Sequence, residues 1–125
     1  MPTTPTPESQ QQLRDQLAMH VGSQSFFRHW TRQLIYTEGV QFLAEQARAY
    51  WLIDLVASWR LDPRIRGEEF VVWRLSVNED RTATAIADDG NNNELVRQEI
   101  EFTDFPLPEI TLYLTDHTLL LPSEY

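Results

Sequence analysis

The stretch Gly67-Glu68-Glu69-Phe70-Val71-Val72-Trp73-Arg74-Leu75-Ser76-Val77 is where this chain changes its period. From Phe70 onward one parity, Val71, Trp73, Leu75 and Val77, is wholly apolar, while the other mixes Phe70 and Val72 with Arg74 and Ser76. A period of two marks a strand with one buried face. Upstream of Gly67 the apolar period is 3.6. Helices first and strands after, without alternation, predict an α+β domain: two to three N-terminal helices packed on one face of a four- to five-stranded antiparallel meander sheet.

Downstream, Asn78-Glu79-Asp80 reads as a turn into a strand over 81–87, whose Ala83, Ala85 and Ala87 form a small-residue face suited to a helix. The polar run 88–93 is a second turn. It leads to a strand over 95–103 with Val96, Ile100 and Phe102 inward and Arg97, Glu99 and Glu101 outward. After Pro106 and Pro108, residues 110–114 and 118–121 form a last hairpin around Thr115-Asp116.

Upstream, residues 1–7 carry three prolines and read as a mobile tail, leaving one domain over 8–125. Leu13, Leu17, Ala18 and Val21 recur at helical spacing before Gly22. Residues 25–34 are expected to form a short helix capped by Ser25. From Thr37, a plausible N-cap, Val40, Leu43, Ala44, Ala47, Tyr50, Trp51 and Leu55 make one continuous face, so a single helix is expected to run to about Arg60, short of Asp62-Pro63.

Composition excludes more than it proposes. Cysteine and lysine are both absent, which removes thiol chemistry, disulfides, a Walker lysine and Schiff-base catalysis. Four scattered glycines allow no phosphate-binding loop and no nucleophile elbow. His20, His29 and His117 have no metal-site spacing, and residues 88–93 fail the calcium-loop pattern because Ala85 falls where an aspartate is needed. No catalytic residue, metal or cofactor is therefore expected. The start of the chain has no signal-peptide pattern, and no apolar run is long enough to span a bilayer, so a cytoplasmic protein without membrane contact is expected.

The formal charge is −9, and its halves differ. Residues 1–66 hold six acids and seven arginines; residues 67–125 hold thirteen acids and three arginines. An acidic sheet half suits a basic protein partner and disfavours direct nucleic-acid binding. That points to a non-enzymatic interaction or accessory protein, with homodimerisation through the sheet face or the last edge strand as a further expectation. The alternative centres on Asp54, which falls on the apolar face of the predicted long helix. A buried carboxylate needs a partner, with Arg28, Arg32 or His29 in reach, or a ligand in an aromatic-lined pocket with Tyr36, Tyr50 and Trp51. The small-molecule or enzymatic reading rests on that pocket.

The words Tyr36-Thr37-Glu38-Gly39-Val40, Ala49-Tyr50-Trp51-Leu52-Ile53-Asp54, Asp89-Gly90-Asn91, Thr103-Asp104-Phe105-Pro106-Leu107 and Leu119-Leu120-Leu121-Pro122-Ser123-Glu124-Tyr125 together carry a resemblance. The chain resembles a family of small bacterial proteins, cyanobacterial and associated with mobile elements, classed as a domain of unknown function. The resemblance implies no activity or cofactor. It adds Asp104 and Tyr125 to Tyr36, Tyr50, Trp51 and Asp54 as candidate binding residues.

Overall fold

In the computed structural model, which describes residues 5–22 and 25–125, the chain runs through α1 (Pro7–Ala18), β1 (Phe26–Arg28), β2 (Ile35–Thr37), α2 (Glu38–Gln46), α3 (Tyr50–Ser58) and α4 (Pro63–Arg66). Then follow β3 (Phe70–Val77), β4 (Ala83–Asp88), β5 (Glu94–Ile100), β6 (Glu109–Thr115), β7 (Thr118–Leu120) and a 3₁₀ turn, Pro122–Glu124. The fold is α+β, with a seven-stranded sheet of order β1-β2-β7-β6-β3-β4-β5. It is mixed rather than antiparallel throughout, because β2 joins β7 in parallel.

Three departures separate it from the expected architecture. Residues 26–28, expected to be helical, pair with β2 instead; three aromatics within five residues favour a pleated surface. This hairpin and the parallel β2–β7 join raise the strand count from the expected four or five to seven. The long helix is two helices. Ala49 N–H bonds the Ala44 carbonyl at 2.8 Å across a left-handed Arg48 (φ 52°), which is a Schellman stop. That position usually holds glycine, and an arginine there conceals the break. Last, β7 lies inside the sheet, so the free edges are β1 and β5, and the last strand is not a dimerisation edge.

The helices cover one face. Leu13, Leu17, Val40, Leu43, Leu52, Ile53 and Val56 pack with Val71, Trp73, Leu75, Ala83, Ala85, Ala87, Leu112, Leu114 and Leu119 in one core. The alanines of β4 fit the helix-facing side as the period predicts, and Gln98 of β5 there accepts from Trp59 Nε1 at 2.8 Å. Phe102, expected inward, lies beyond the end of β5 and is 66% exposed. At the other terminus, α1 begins at Pro7 under a Thr6 and Ser9 capping box. Of the expected tail, residues 1–4 lie outside the described residues.

Candidate functional site

The six candidate residues fall in three places. Asp54 is not buried: its side chain is 52% exposed. In α3 the core takes Leu52, Ile53, Leu55, Val56 and Ala57, which leaves Tyr50, Asp54 and Ser58, spaced by four, on the outer stripe. The stop at Arg48 rotates Asp54 off the Val40 face. Its partner is one of those expected, His29, which is itself buried. The Thr31 amide donates to His29 Nδ1 (3.2 Å), and the Thr31 hydroxyl lies 2.7 Å from the same nitrogen. Nδ1 is thus the acceptor, and Nε2 carries the proton given to Asp54 Oδ1 at 2.6 Å. Trp30 Nε1 donates to the same oxygen at 3.2 Å.

Two tyrosines lie near this pair. Tyr36, in β2, has its pKa raised by partial burial, with the Asp54 and Glu45 carboxylates adding to it. Tyr50, half-exposed, donates to Glu45 at 3.2 Å; loss of solvent and then that bond raise its pKa. Tyr125 is elsewhere, on the face of the sheet away from the helices, edge-on to Phe70 and Tyr113.

Trp51 and Asp104 come together. With Ile100, Phe102 and Thr103 they line a notch of about 250 Å³ between α3 and the β5–β6 connection. Two other clefts are larger. One of about 420 Å³ lies between α4 and the β6–β7 turn, lined by Arg60, Arg66 and His117 along with Glu68, Glu69 and Asp116. One of about 310 Å³ runs between α1 and the C-terminal turn. None of the three is lined by Asp54, so the expected aromatic pocket around that carboxylate is not among them. Among the described residues, no three His, Asp or Glu side chains are placed to hold a metal ion, and no helix is long and apolar enough to cross a membrane.

Register sorts the acids of the sheet. Glu99, Thr84, Ser76 and Glu109 form one row across β5, β4, β3 and β6 on the helix-free face. The loops at that end, joined by the Thr103 amide on the Arg81 carbonyl at 2.9 Å, add Glu79, Asp80, Glu101 and Asp104. The middle of the face is not acidic, since Arg74 and Arg97 lie there in ion pairs with Asp88 and Glu94. At the opposite end, buried Asp88 accepts from the Gly90 amide at 2.7 Å, and Asp89 accepts from the Asn91 and Asn93 amides. The acids of residues 67–125 therefore do not share one surface. One group gathers at the Glu99 and Glu109 end; at the other, Asp88 and Asp89 are engaged by their own turn, while Glu68, Glu69 and Asp116 lie exposed around the cleft that also holds Arg60, Arg66 and His117.

Sequence reasoning missed one carboxylate. Glu124 accepts from Thr37 Oγ1 (2.6 Å), the Gly39 amide (3.3 Å) and the Leu121 amide (3.0 Å), which ties the C-terminal turn beneath the start of α2. A Cβ on Gly39 would lie 2.5 Å from Glu124 Oε1 and 2.7 Å from Leu121 Cδ1. Two of the words that carry the resemblance, 36–40 and 119–125, thus meet as a structural lock. Their signal was in the sequence as a glycine at the second helical position, whose partner 85 residues away could not be read.

A family model for DUF6876, a family of unknown function, matches residues 11–125. No curated protein matches the chain. Among solved structures it is similar to a protein of unknown function from Enterococcus faecalis, with 20% identity, 82% of this chain and 93% of that chain covered, and a TM-score of 0.49.

Proposed function

The chain belongs to DUF6876, and with that membership as the starting point we propose that it is a non-enzymatic interaction protein that meets a basic protein partner through the acidic end of its sheet. The observation that carries this reading is the convergence of Glu99 and Glu109 on one cross-strand row with Glu79, Glu101 and Asp104 in the adjoining loops, all exposed. Of the two arginines nearest in sequence, Arg81 is committed inward, donating to the carbonyls of Thr103 (2.9 Å) and Phe105 (2.7 Å), and Arg97 is held by Glu94 at 2.8 Å, with Glu99 at 4.0 Å as its outer contact. A cluster of one sign accelerates encounter with the opposite sign and loses that advantage in salt.

The test is the affinity of a fluorescent basic peptide, measured by anisotropy across a salt series. Binding at low salt that weakens steeply as salt rises is expected. The triple variant Glu99→Gln, Glu101→Gln, Glu109→Gln should weaken it at least tenfold and leave the melt within about 0.5 kcal/mol of the parent, as exposed substitutions do. A peptide that does not bind at low salt, or binds the variant equally well, overturns the reading.

A further inference from the structure

We propose that the notch formed by Trp51, Phe102 and Asp104 receives an arginine side chain of that basic partner; the inference rests on the reading above and specifies its contact point. The notch opens at the acidic end of the sheet, and its volume of about 250 Å³ falls below the ~300–1,000 Å³ typical of small-molecule sites. That is room for one long side chain.

Its walls suit a planar cation. Phe102 is 66% exposed, and neither it nor Trp51 packs on another ring among the described residues, whereas Phe70, Tyr113 and Tyr125 pack on one another. An aromatic face left open beside acids attracts a cation through the ring quadrupole. At the rim, Asp104 is exposed and has no ion pair among the described residues.

The loop that presents Asp104 is held firmly. Arg81 bonds the carbonyls on either side of it, and the buried Thr103 hydroxyl accepts from the Phe105 amide at 3.1 Å. A guanidinium stacks on a ring and pairs with a carboxylate in two parallel bonds, while an ammonium is a point charge that satisfies only one of those demands well. Arginine is therefore the cation this geometry selects.

The experiment compares two peptides of equal length and charge, one with arginines and one with lysines, against the full chain. The arginine peptide is expected to bind about fivefold more tightly, the scale of one cation–π contact. Asp104→Asn and Phe102→Ala, both at exposed positions, should each erase the preference. Glu109→Gln, outside the notch, should weaken both peptides alike. Equal affinity for the two peptides, or a preference that survives both notch variants, overturns the notch while the acidic-end reading stands. If neither peptide binds at low salt, both fall.

Discussion

Glu124 beneath α2 and Glu109 at the end of the sheet are the same side chain put to opposite uses. Glu124 is half-buried and accepts from the Thr37 hydroxyl and from the Gly39 and Leu121 amides. Glu109 is exposed, in a row with Glu99. The C-terminal half holds thirteen acids against three arginines, yet Asp88, Glu94 and Glu124 are taken up by partners inside the fold, and Asp80 and Asp89 by their own turns. Net charge in a sequence overstates the charge offered to a partner, because a carboxylate near free amides satisfies them before it meets anything else. What remains is smaller and better placed.

The largest effect should come from the lock. Glu124→Ala removes the acceptor from the Thr37 hydroxyl and from the Gly39 and Leu121 amides, a loss of about 2–3 kcal/mol, seen as a fall in Tm of roughly 5–15 °C. Gly39→Val should cost a similar amount by a different route, driving Cβ into Glu124 and the buried Leu121. Were both melts to stay within a degree of the parent, the two carboxylates would be equivalent and the contrast would fail.

Asp54 stands between these extremes and predicts a middling effect. Half-exposed, it bonds buried His29 and exposed Trp30 through one oxygen. Asn at that site keeps an acceptor for both, so Asp54→Asn should cost less than about 1 kcal/mol. Asp54→Ala, which strands the His29 Nε2 proton, should cost about 1–2 kcal/mol. Denaturant melts of the two variants separate the cases. Equal losses would mean that the negative charge matters rather than the acceptor.

How much of this was readable follows the range of each interaction. The period change at Gly67, the alanine face of β4 and the Thr37 cap are local patterns, and all three appear in the fold. The split between α2 and α3 was hidden because Arg48 adopts the φ that normally advertises itself as glycine, and the apolar spacing on either side happened to continue across it. Joining the two helices into one puts Asp54 on the core face. Within α3 alone, the stripe Tyr50, Asp54, Ser58 would have put it outside. Strands β1 and β2 are three residues each and hold their place through partners elsewhere in the chain, β2 through β7 more than 80 residues on. A pattern that short carries almost no period to read. The notch is half legible: Trp51 and Asp104 stand in words that carry the resemblance, but what joins them is the exit of Phe102 from the strand, and that depends on where β5 stops.

The smallest effect tests the contrast inside the acidic end itself. Asp80 belongs there by position yet is already engaged, because it accepts from the Thr82 hydroxyl at 2.6 Å and the Thr82 amide at 3.0 Å. The hydroxyl first and the amide second hold its pKa below the usual carboxylate value. A carboxylate depressed in the folded state contributes stability that is complete above its ordinary pKa and is lost as pH falls through the lowered one. Thr82→Val removes the hydroxyl and keeps the amide, so the Asp80 titration followed by carboxyl NMR should move upward toward the ordinary value. The affinity for a basic peptide at neutral pH should not change. Tighter peptide binding in Thr82→Val would mean that Asp80 joins the surface once its own turn releases it, and the division between acids of the fold and acids of the surface would be one of degree.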